Sequence, residues 1–189
     1  MAALIAQRPL AVLITTGEDD RLRVSHVPMI RDGAGRLRGH LARANPQWRE
    51  SRADREALAL FHGEDFYVSP SWYPSKREHG RVVPTWNYIA VEARGHVRFI
   101  EDEAWLRDTV TLLTDQQEQP RAGPWAVTDA PASYVDGLLK AIVGVEFTIT
   151  QLEGKWKMSQ NRPPADREGV EAGRAEAAGA QPRGAATLK

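Results

Sequence analysis

The sequence contains no cysteine, which removes disulfides, thiolate nucleophiles and cysteine-based metal centres together and leaves His and carboxylates as the strong metal-ligand candidates. It also lacks any run approaching the roughly 20 apolar residues that a bilayer-crossing helix needs, so no membrane partner is expected. Within residues 1–13, Gln7, Arg8 and Pro9 interrupt the apolar stretch, and no basic start or small-residue cleavage site accompanies it, as a secretory signal would require. A cytoplasmic location is the expectation. Net charge is missing too. Lys and Arg total 25, as do Asp and Glu, so nothing global draws the chain toward nucleic acid or an anionic surface. A glycine-rich dinucleotide fingerprint, a phosphate-binding P-loop and an HExxH zinc motif are all absent, and no helix pair reads as a DNA-reading helix-turn-helix. His26, His40, His62 and His79 are scattered among turns, without the supporting carboxylate pattern of a metal centre, and no metal is expected.

What is present is patterned mainly for strands. The segment 10–16 is β-favouring and stops at Gly17-Glu18-Asp19-Asp20, a polar turn into a second strand over 22–30. Asp32-Gly33-Ala34-Gly35 then turns into a third strand, where Leu37, Gly39 and Leu41 alternate with Arg38, His40 and Ala42 until Asn45-Pro46 ends it. Residues 57–61 and 66–69 read as two further strands around His62-Gly63-Glu64-Asp65, and 70–84 as a long loop rich in Pro, Gly, Ser and charge. Val91, Ala93, Val97 and Phe99 alternate with Glu92, Arg94, His96 and Arg98, as a half-buried strand would. Asp102 is placed to cap a helix carrying Trp105, Leu106, Thr109, Leu112 and Leu113 on one stripe. A second helix is expected after Pro131, with Tyr134, Val135, Leu138, Leu139 and Ile142 inward. Val145, Phe147 and Ile149 return to strand periodicity, with Gly154 turning the chain toward Trp156 and Met158. Strands, two helices and strands again favour a barrel with peripheral helices over alternating βαβ units. The domain is drawn as 1–162. From Pro163 the composition shifts to Ala, Gly, Arg and Glu, and residues 163–189 are expected to be a disordered tail, though Ala and Glu leave room for a short helix.

Three polar clusters do not read as ordinary strands or turns. Ser25-His26-Val27-Pro28 places a Pro inside a strand, so this stretch belongs at an edge or a distortion. His40-Leu41-Ala42-Arg43-Ala44-Asn45-Pro46 brings an imidazole, a guanidinium and an amide to a strand end. With the first cluster it could hold an anion, since a planar guanidinium suits a phosphate; singly, each residue is more often solvated surface than a ligand contact, and the pairing of the two clusters makes the readings even. In the third cluster, 155–162, the amides of Gln160 and Asn161 could pair with the edge of a planar heterocycle that Trp156 covers; a capped strand end with Trp156 in the core explains the same residues. Trp72-Tyr73 and Pro84-Thr85-Trp86-Asn87-Tyr88 flank the loop with aromatics suited to a flat ligand or a subunit interface.

These segments, together with Val68-Ser69-Pro70-Ser71-Trp72-Tyr73, Ala141-Ile142-Val143-Gly144 and Lys155-Trp156-Lys157-Met158-Ser159-Gln160-Asn161-Arg162, closely resemble the PaiB-like FMN-binding family of negative transcriptional regulators. The resemblance runs over nearly everything before the tail. It implies a mainly β fold with peripheral helices, an FMN-binding split β-barrel related to the pyridoxamine-phosphate oxidase barrels, with FMN held at a homodimer interface. It implies cofactor contacts from Ser25, His26, Val27, Pro28, His40, Leu41, Ala42, Arg43, Asn45, Trp86, Asn87, Lys157, Gln160 and Asn161. Arg43, helped by Ser25 and His40, is expected on the phosphate, with Trp86, Asn87, Gln160 and Asn161 facing the ring or ribityl chain from the opposite subunit. Relatives carry an additional segment and a helix before the first strand, whereas here that strand is expected almost at once. One barrel can host many chemistries, so two functions stay open: a transcriptional regulator meeting DNA, and an FMN-dependent oxidoreductase or flavin reductase.

Overall fold

A computed structural model gives the structure and describes residues 1–180. The chain runs α1 (Ala2–Gln7), β1 (Leu10–Thr16), β2 (Leu22–Arg31), β3 (Arg36–Ala42), α2 (Gln47–Glu50), β4 (Ala57–Val68), α3 (Ser75–His79), β5 (Thr85–Ile100), α4 (Glu103–Glu118), α5 (Ala132–Leu139), β6 (Ile142–Lys157) and α6 (Pro164–Ala180), with single 3-10 turns at Pro70–Trp72 and Val127–Asp129. The strands close a barrel in the order β1-β2-β3-β6-β5-β4. The chain divides into two compact units. The first comprises Met1–Gly63 and Ala90–Gly154; the second comprises Glu64–Ile89 and the chain from Lys155 onward. Strands β4, β5 and β6 each run from one unit into the other.

Two-residue alternation builds the first unit. Ala11 and Leu13 on β1, Val27 and Met29 on β2, Leu37 on β3, Ala59 and Phe61 on β4, Ala93 on β5, and Val145 and Phe147 on β6 are all fully buried. They form one continuous core, to which Ile5 of α1 adds its side chain. A helix therefore does precede the first strand, where the sequence reading had none. The turn between β2 and β3 follows the expected chemistry. Gly33 and Gly35 both take φ of 80°, a left-handed conformation that glycine adopts without a Cβ clash. The Asp32 carboxylate accepts from the N–H of Ala34 at 2.9 Å and of Arg36 at 3.2 Å, and from the Arg36 guanidinium at 2.8 Å. Burial pushes the Asp32 carboxyl up, but those donors together hold it below its ordinary value of 3.8. A depressed carboxyl contributes stability that is present above the unfolded value and lost as the pH falls through the folded one. Asp32→Asn is thus expected to lower the melting temperature at neutral pH and to shrink the difference from wild type below pH 3.8, measured by thermal melts across an acid series.

Asp102 caps α4 as expected, accepting from the N–H of Trp105 at 2.7 Å. Several boundaries differ from the sequence reading. Residues 57–68 are one strand, because His62 to Asp65 continue the extended backbone instead of turning it. The segment 70–84 contains a 3-10 turn and α3. Gly154 lies inside β6, so it turns nothing. On α5, Val135 and Leu139 are buried, but Tyr134 and Leu138 are 59% and 51% exposed: one stripe of an eight-residue helix faces inward, and the neighbouring stripe does not. Trp156 is exposed and not part of a core.

In the second unit, Val68, Tyr73 and Val170 form a small core. Here residues 164–180 are a 17-residue helix, not a disordered segment; residues 181–189 lie outside the described part. The helix is held by contacts that its composition conceals. Asp166 is buried and accepts from the N–H and the hydroxyl of Ser75, at 3.1 and 2.8 Å. Gly169 and Gly173 let the helix lie against Trp72, where a Cβ at either position would meet the Trp72 carbonyl or its ring.

Candidate functional site

β2 changes partner part-way along. Leu22 to Pro28 pair with β1, whereas only Met29 to Arg31 pair with β3. Among the described residues, the opposite edge of β2 over residues 22–28 therefore has no strand partner, and Pro28, which has no N–H for a ladder, stands at the junction. That is the edge position its sequence context implied.

The chain following β3 folds against the β1–β2 pair. Asn45 Nδ2 donates to Ser25 Oγ at 2.8 Å, and Asn45 Oδ1 accepts from the N–H of Gln47 at 2.9 Å. Gln47 is 2% exposed. Its Nε2 donates to the carbonyls of Leu13 and Arg23 at 3.3 and 3.2 Å and to Thr15 Oγ1 at 3.0 Å. Trp48 Nε1 donates to the Arg43 carbonyl at 2.9 Å, and the exposed Arg49 guanidinium stacks on the Trp48 ring at 4.4 Å. Gln47 and Trp48 are absent from the site inferred by sequence, yet they hold its loop in place; their signal was an amide and an indole adjoining the polar cluster.

Arg43 spends its guanidinium in three directions. Nε donates to the Lys140 carbonyl at 2.8 Å, Nη2 to the Ile142 carbonyl at 3.2 Å, and Nη1 to the Glu101 carboxylate at 2.5 Å. Two of these acceptors are backbone groups at or just before the start of β6, and the third is an exposed side chain. Ser25 and Asn45 thus form one contact, whereas the Arg43 guanidinium, on the same loop, faces the start of β6 and Glu101. His26 and Pro28 are on the outer face of β2, Val27 and Leu41 are buried in the core, and Ala42 is exposed.

His40 lies elsewhere on β3, in the wall of a cavity under α4 and α5. Its Nδ1 is buried and, among the described residues, has no hydrogen-bond partner, and burial pushes its pKa below the ordinary 6.5. The imidazole is therefore neutral at physiological pH.

The remaining expected residues lie in the second unit. Asn87 is 1% exposed, and its amide exchanges hydrogen bonds with the Ser159 hydroxyl at 3.0 and 3.1 Å. Gln160 closes its own turn, accepting from the N–H of Met158 and donating to the Trp156 carbonyl. Lys157 Nζ donates to Thr85 Oγ1 at 2.7 Å. Trp86, edge-on to Tyr67 with ring centroids 6.0 Å apart, and Asn161 are exposed. The amides of Asn87 and Gln160, like that of Asn45, are engaged inside the chain; Trp86 and Asn161 are the members of this group with surface to offer.

A family model described as "Putative FMN-binding domain" matches residues 1–151. The chain belongs to that family. FMN is the cofactor of this FMN-binding family, and the barrel is its split-barrel fold. Among curated relatives, an Emericella nidulans protein is 36% identical over 209 residues, covering 90% of this chain and 83% of its own. The Bacillus subtilis protein named protease synthase and sporulation protein PAI 2 is 32% identical over 156 residues, covering 81% and 72%, which makes this a PaiB-like member. Solved structures share the fold at low identity. The flavocytochrome Anf3 of Azotobacter vinelandii superposes with a TM-score of 0.57 at 14% identity, covering 82% of this chain and 64% of that one. An FAD and heme binding protein of Mycobacterium smegmatis gives 0.56 at 16%, covering 91% and 76%.

The residues of this FMN-binding domain fit the chemistry of FMN. A flavin ring needs partners for carbonyl and N–H groups along one edge, which an unpaired strand edge supplies. A ribityl chain needs mixed donors and acceptors such as the Ser25 hydroxyl, which Asn45 positions. A phosphate needs a guanidinium, and Arg43 already holds an anionic carboxylate on Nη1. Among the described residues no cluster of His, Asp and Glu could hold a metal, and no helix is long and apolar enough to cross a membrane.

Proposed function

We propose that this chain is a homodimeric FMN-binding regulator, in which the flavin lies along the open edge of β2 and biases the conformation of a dimer that acts as a negative regulator of transcription. The observation carrying this reading is that edge, with Ser25 and Asn45 joined beside it, while Arg43, two residues before Asn45, already holds the Glu101 carboxylate on its guanidinium. In this proposal FMN supplies redox chemistry or a redox-sensitive shape. The chain's own residues bind and orient it: backbone groups of residues 25–28 at the ring, Ser25 and Asn45 at the ribityl chain, and Arg43 at the phosphate. Trp86, Lys157 and Asn161 are proposed as further contacts from the second copy.

Dimerisation has its own support in the outer face of the barrel. Leu10, Leu22 and Val24 are 55–67% exposed. Their cross-strand neighbours are Pro28, Thr16 and Ile14, and the half-buried Val12 and Ile14 pair on their other side with Leu60 and Leu58. An outer strand face facing water is normally polar. A contiguous apolar patch of this kind marks a contact surface, and a second copy would cover it. Val24→Lys is expected to convert a dimer to a monomer in sedimentation and to weaken FMN binding in parallel, because a site completed by two chains couples ligand to association. A monomeric Val24→Lys that binds FMN as well as wild type removes the shared site.

The regulator reading is tested by titrating flavin-loaded protein with DNA across a salt series. Many cations are already committed to ion pairs, including Arg23, Arg38, Arg52 and Arg94, and the net charge is zero. Binding is therefore expected to be weak at physiological salt unless one flavin redox state is selected. A second reading, an FMN-dependent reductase, is favoured by the cavity beside Pro28 and His40. Rapid bleaching on anaerobic mixing with reduced nicotinamide, with turnover on readmitting an acceptor, would establish the reductase and displace the regulator as the primary role.

A further inference from the structure

The enclosed part of the cavity that takes in His40 contains none of the residues proposed above to hold the flavin. It encloses about 320 Å³ between β3, the start of β6, α4 and α5. Its wall is apolar, formed mainly by Val110, Val127, Val135, Leu139 and Ile142, with Trp125, Tyr134 and Leu138 at the exposed rim. It continues into a groove lined by Pro9, Pro28, Leu113, Gln117 and the charged Glu118, and His40, Thr114 and Trp125 belong to both. Among the described residues, no lysine, arginine, aspartate or glutamate lines the enclosed part. His40 is the one titratable group described there besides the Tyr134 phenol, and its Nδ1 is buried without a partner.

Three physical points fix the ligand class. A wall without fixed charge rejects an ion, whose desolvation nothing would offset. The volume is about twice the roughly 150 Å³ of an apolar protein cavity that accepts benzene, which leaves room for two fused rings; aromatic and apolar linings of this size are usual for small-molecule sites. The half-buried His40 ring is a polar group in that wall; its Nδ1 is shut off from the cavity, so a ligand meets the accessible part of the ring. A hydroxyl pairs with that part whichever tautomer is present, because it can both donate and accept.

We propose that this cavity is a binding site for a neutral, planar, two-ring aromatic molecule bearing one hydroxyl group, with the rings between α4 and α5 and the hydroxyl on His40. The enclosed part is separate from Ser25, Asn45 and Arg43, and only its outer groove reaches Pro28 at the end of the flavin edge.

The test uses 2-naphthol as the probe, with isothermal titration calorimetry on the full chain and FMN affinity measured on the same preparations. Saturable one-to-one binding of 2-naphthol is expected, several-fold tighter than naphthalene, with no binding of the anion 2-naphthoate. His40→Leu should remove the preference for naphthol over naphthalene while keeping binding of both. Leu138→Trp places a large side chain at an exposed rim position, where folding does not depend on it, and should reduce naphthol binding tenfold or more with unchanged melting. Absence of saturable 2-naphthol binding to the wild type, or full-strength binding by Leu138→Trp, overturns the proposal. Naphthol binding by a chain that does not take up FMN keeps this inference and removes the flavin reading; FMN uptake without naphthol binding does the reverse.

Discussion

Arg43→Ala is expected to weaken FMN by roughly 10- to 100-fold while changing riboflavin little, since a hydrogen bond to a charged group contributes about 1.5–3 kcal/mol and each 1.4 kcal/mol is tenfold. Riboflavin lacks the phosphate, so the ratio of the two affinities isolates the guanidinium–phosphate contact from any general loosening of the loop. That control matters here. Arg43 also donates to the carbonyls of Lys140 and Ile142, and truncation leaves those acceptors without it, so some loss of melting temperature accompanies the loss of affinity. Glu101 gives the opposite test. Its carboxylate holds Arg43 Nη1 from an exposed position, with 59% of the side chain accessible, where an ion pair is worth little. Glu101→Gln removes both a competitor for the guanidinium and a charge that repels phosphate, so FMN should bind a few-fold more tightly with riboflavin unchanged. Equal weakening of both flavins by Arg43→Ala would assign the residue to holding β6 alone.

Gly173→Leu is expected to detach α6. A Cβ at Gly173 lands on the Trp72 ring, and one at Gly169 lands on the Trp72 carbonyl. A side chain forced into packed surroundings costs about 1–3 kcal/mol, a large fraction of what a core of Val68, Tyr73 and Val170 can supply. Hydrogen exchange should show residues 164–180 losing protection while the strands of the first unit keep theirs. Gly179→Ala is the control: among the described residues nothing lies within 4 Å of a Cβ there, and alanine is the better helix former by about 1 kcal/mol. Retained protection in Gly173→Leu would mean that the glycine contact with Trp72 is not what seats the helix.

The same contact explains why α6 was illegible in the sequence. Tail composition argues for disorder when large apolar residues are scarce, but this helix packs through what its residues lack: glycines form the groove and Trp72, distant in sequence, fills it. Only Val170 carries a conventional signal. Alternation, by contrast, announced the barrel well, because Leu37, Val91, Ala93, Val145 and Phe147 each face a core whose period is two. Local turn chemistry misled at two points: β4 runs straight through His62-Gly63-Glu64-Asp65, and β6 runs through Gly154. Pairing within a sheet keeps such residues extended against their local preference. At the candidate site, residue types pointed to the right loop but could not assign partners. Asn87 and Gln160 have amides suited to a heterocycle, yet Ser159 and the local backbone take them first. His40 stands opposite Gly144 on β6 and lines the cavity under the helices, whereas Arg43 lies past the end of β3. Close neighbours in the chain therefore serve different places, which spacing alone does not reveal.

Three strands that cross from one unit to the other have a consequence for fragments of this protein. Neither unit is a continuous stretch of chain, so no single cut liberates either as an independent piece. A protease nick between α3 and β5 would leave one fragment contributing β1 to β4 and the other β5 and β6. The two would stay associated through a shared barrel, much as a complementing pair does, and would run as one species until denatured. A chain stopped at residue 151, where the family match ends, would keep nearly all of the first unit and strip the second of α6. Its remaining segment, residues 64–89, would then be left with Tyr73 and Trp72 uncovered, a sticky surface that favours aggregation over a smaller working protein.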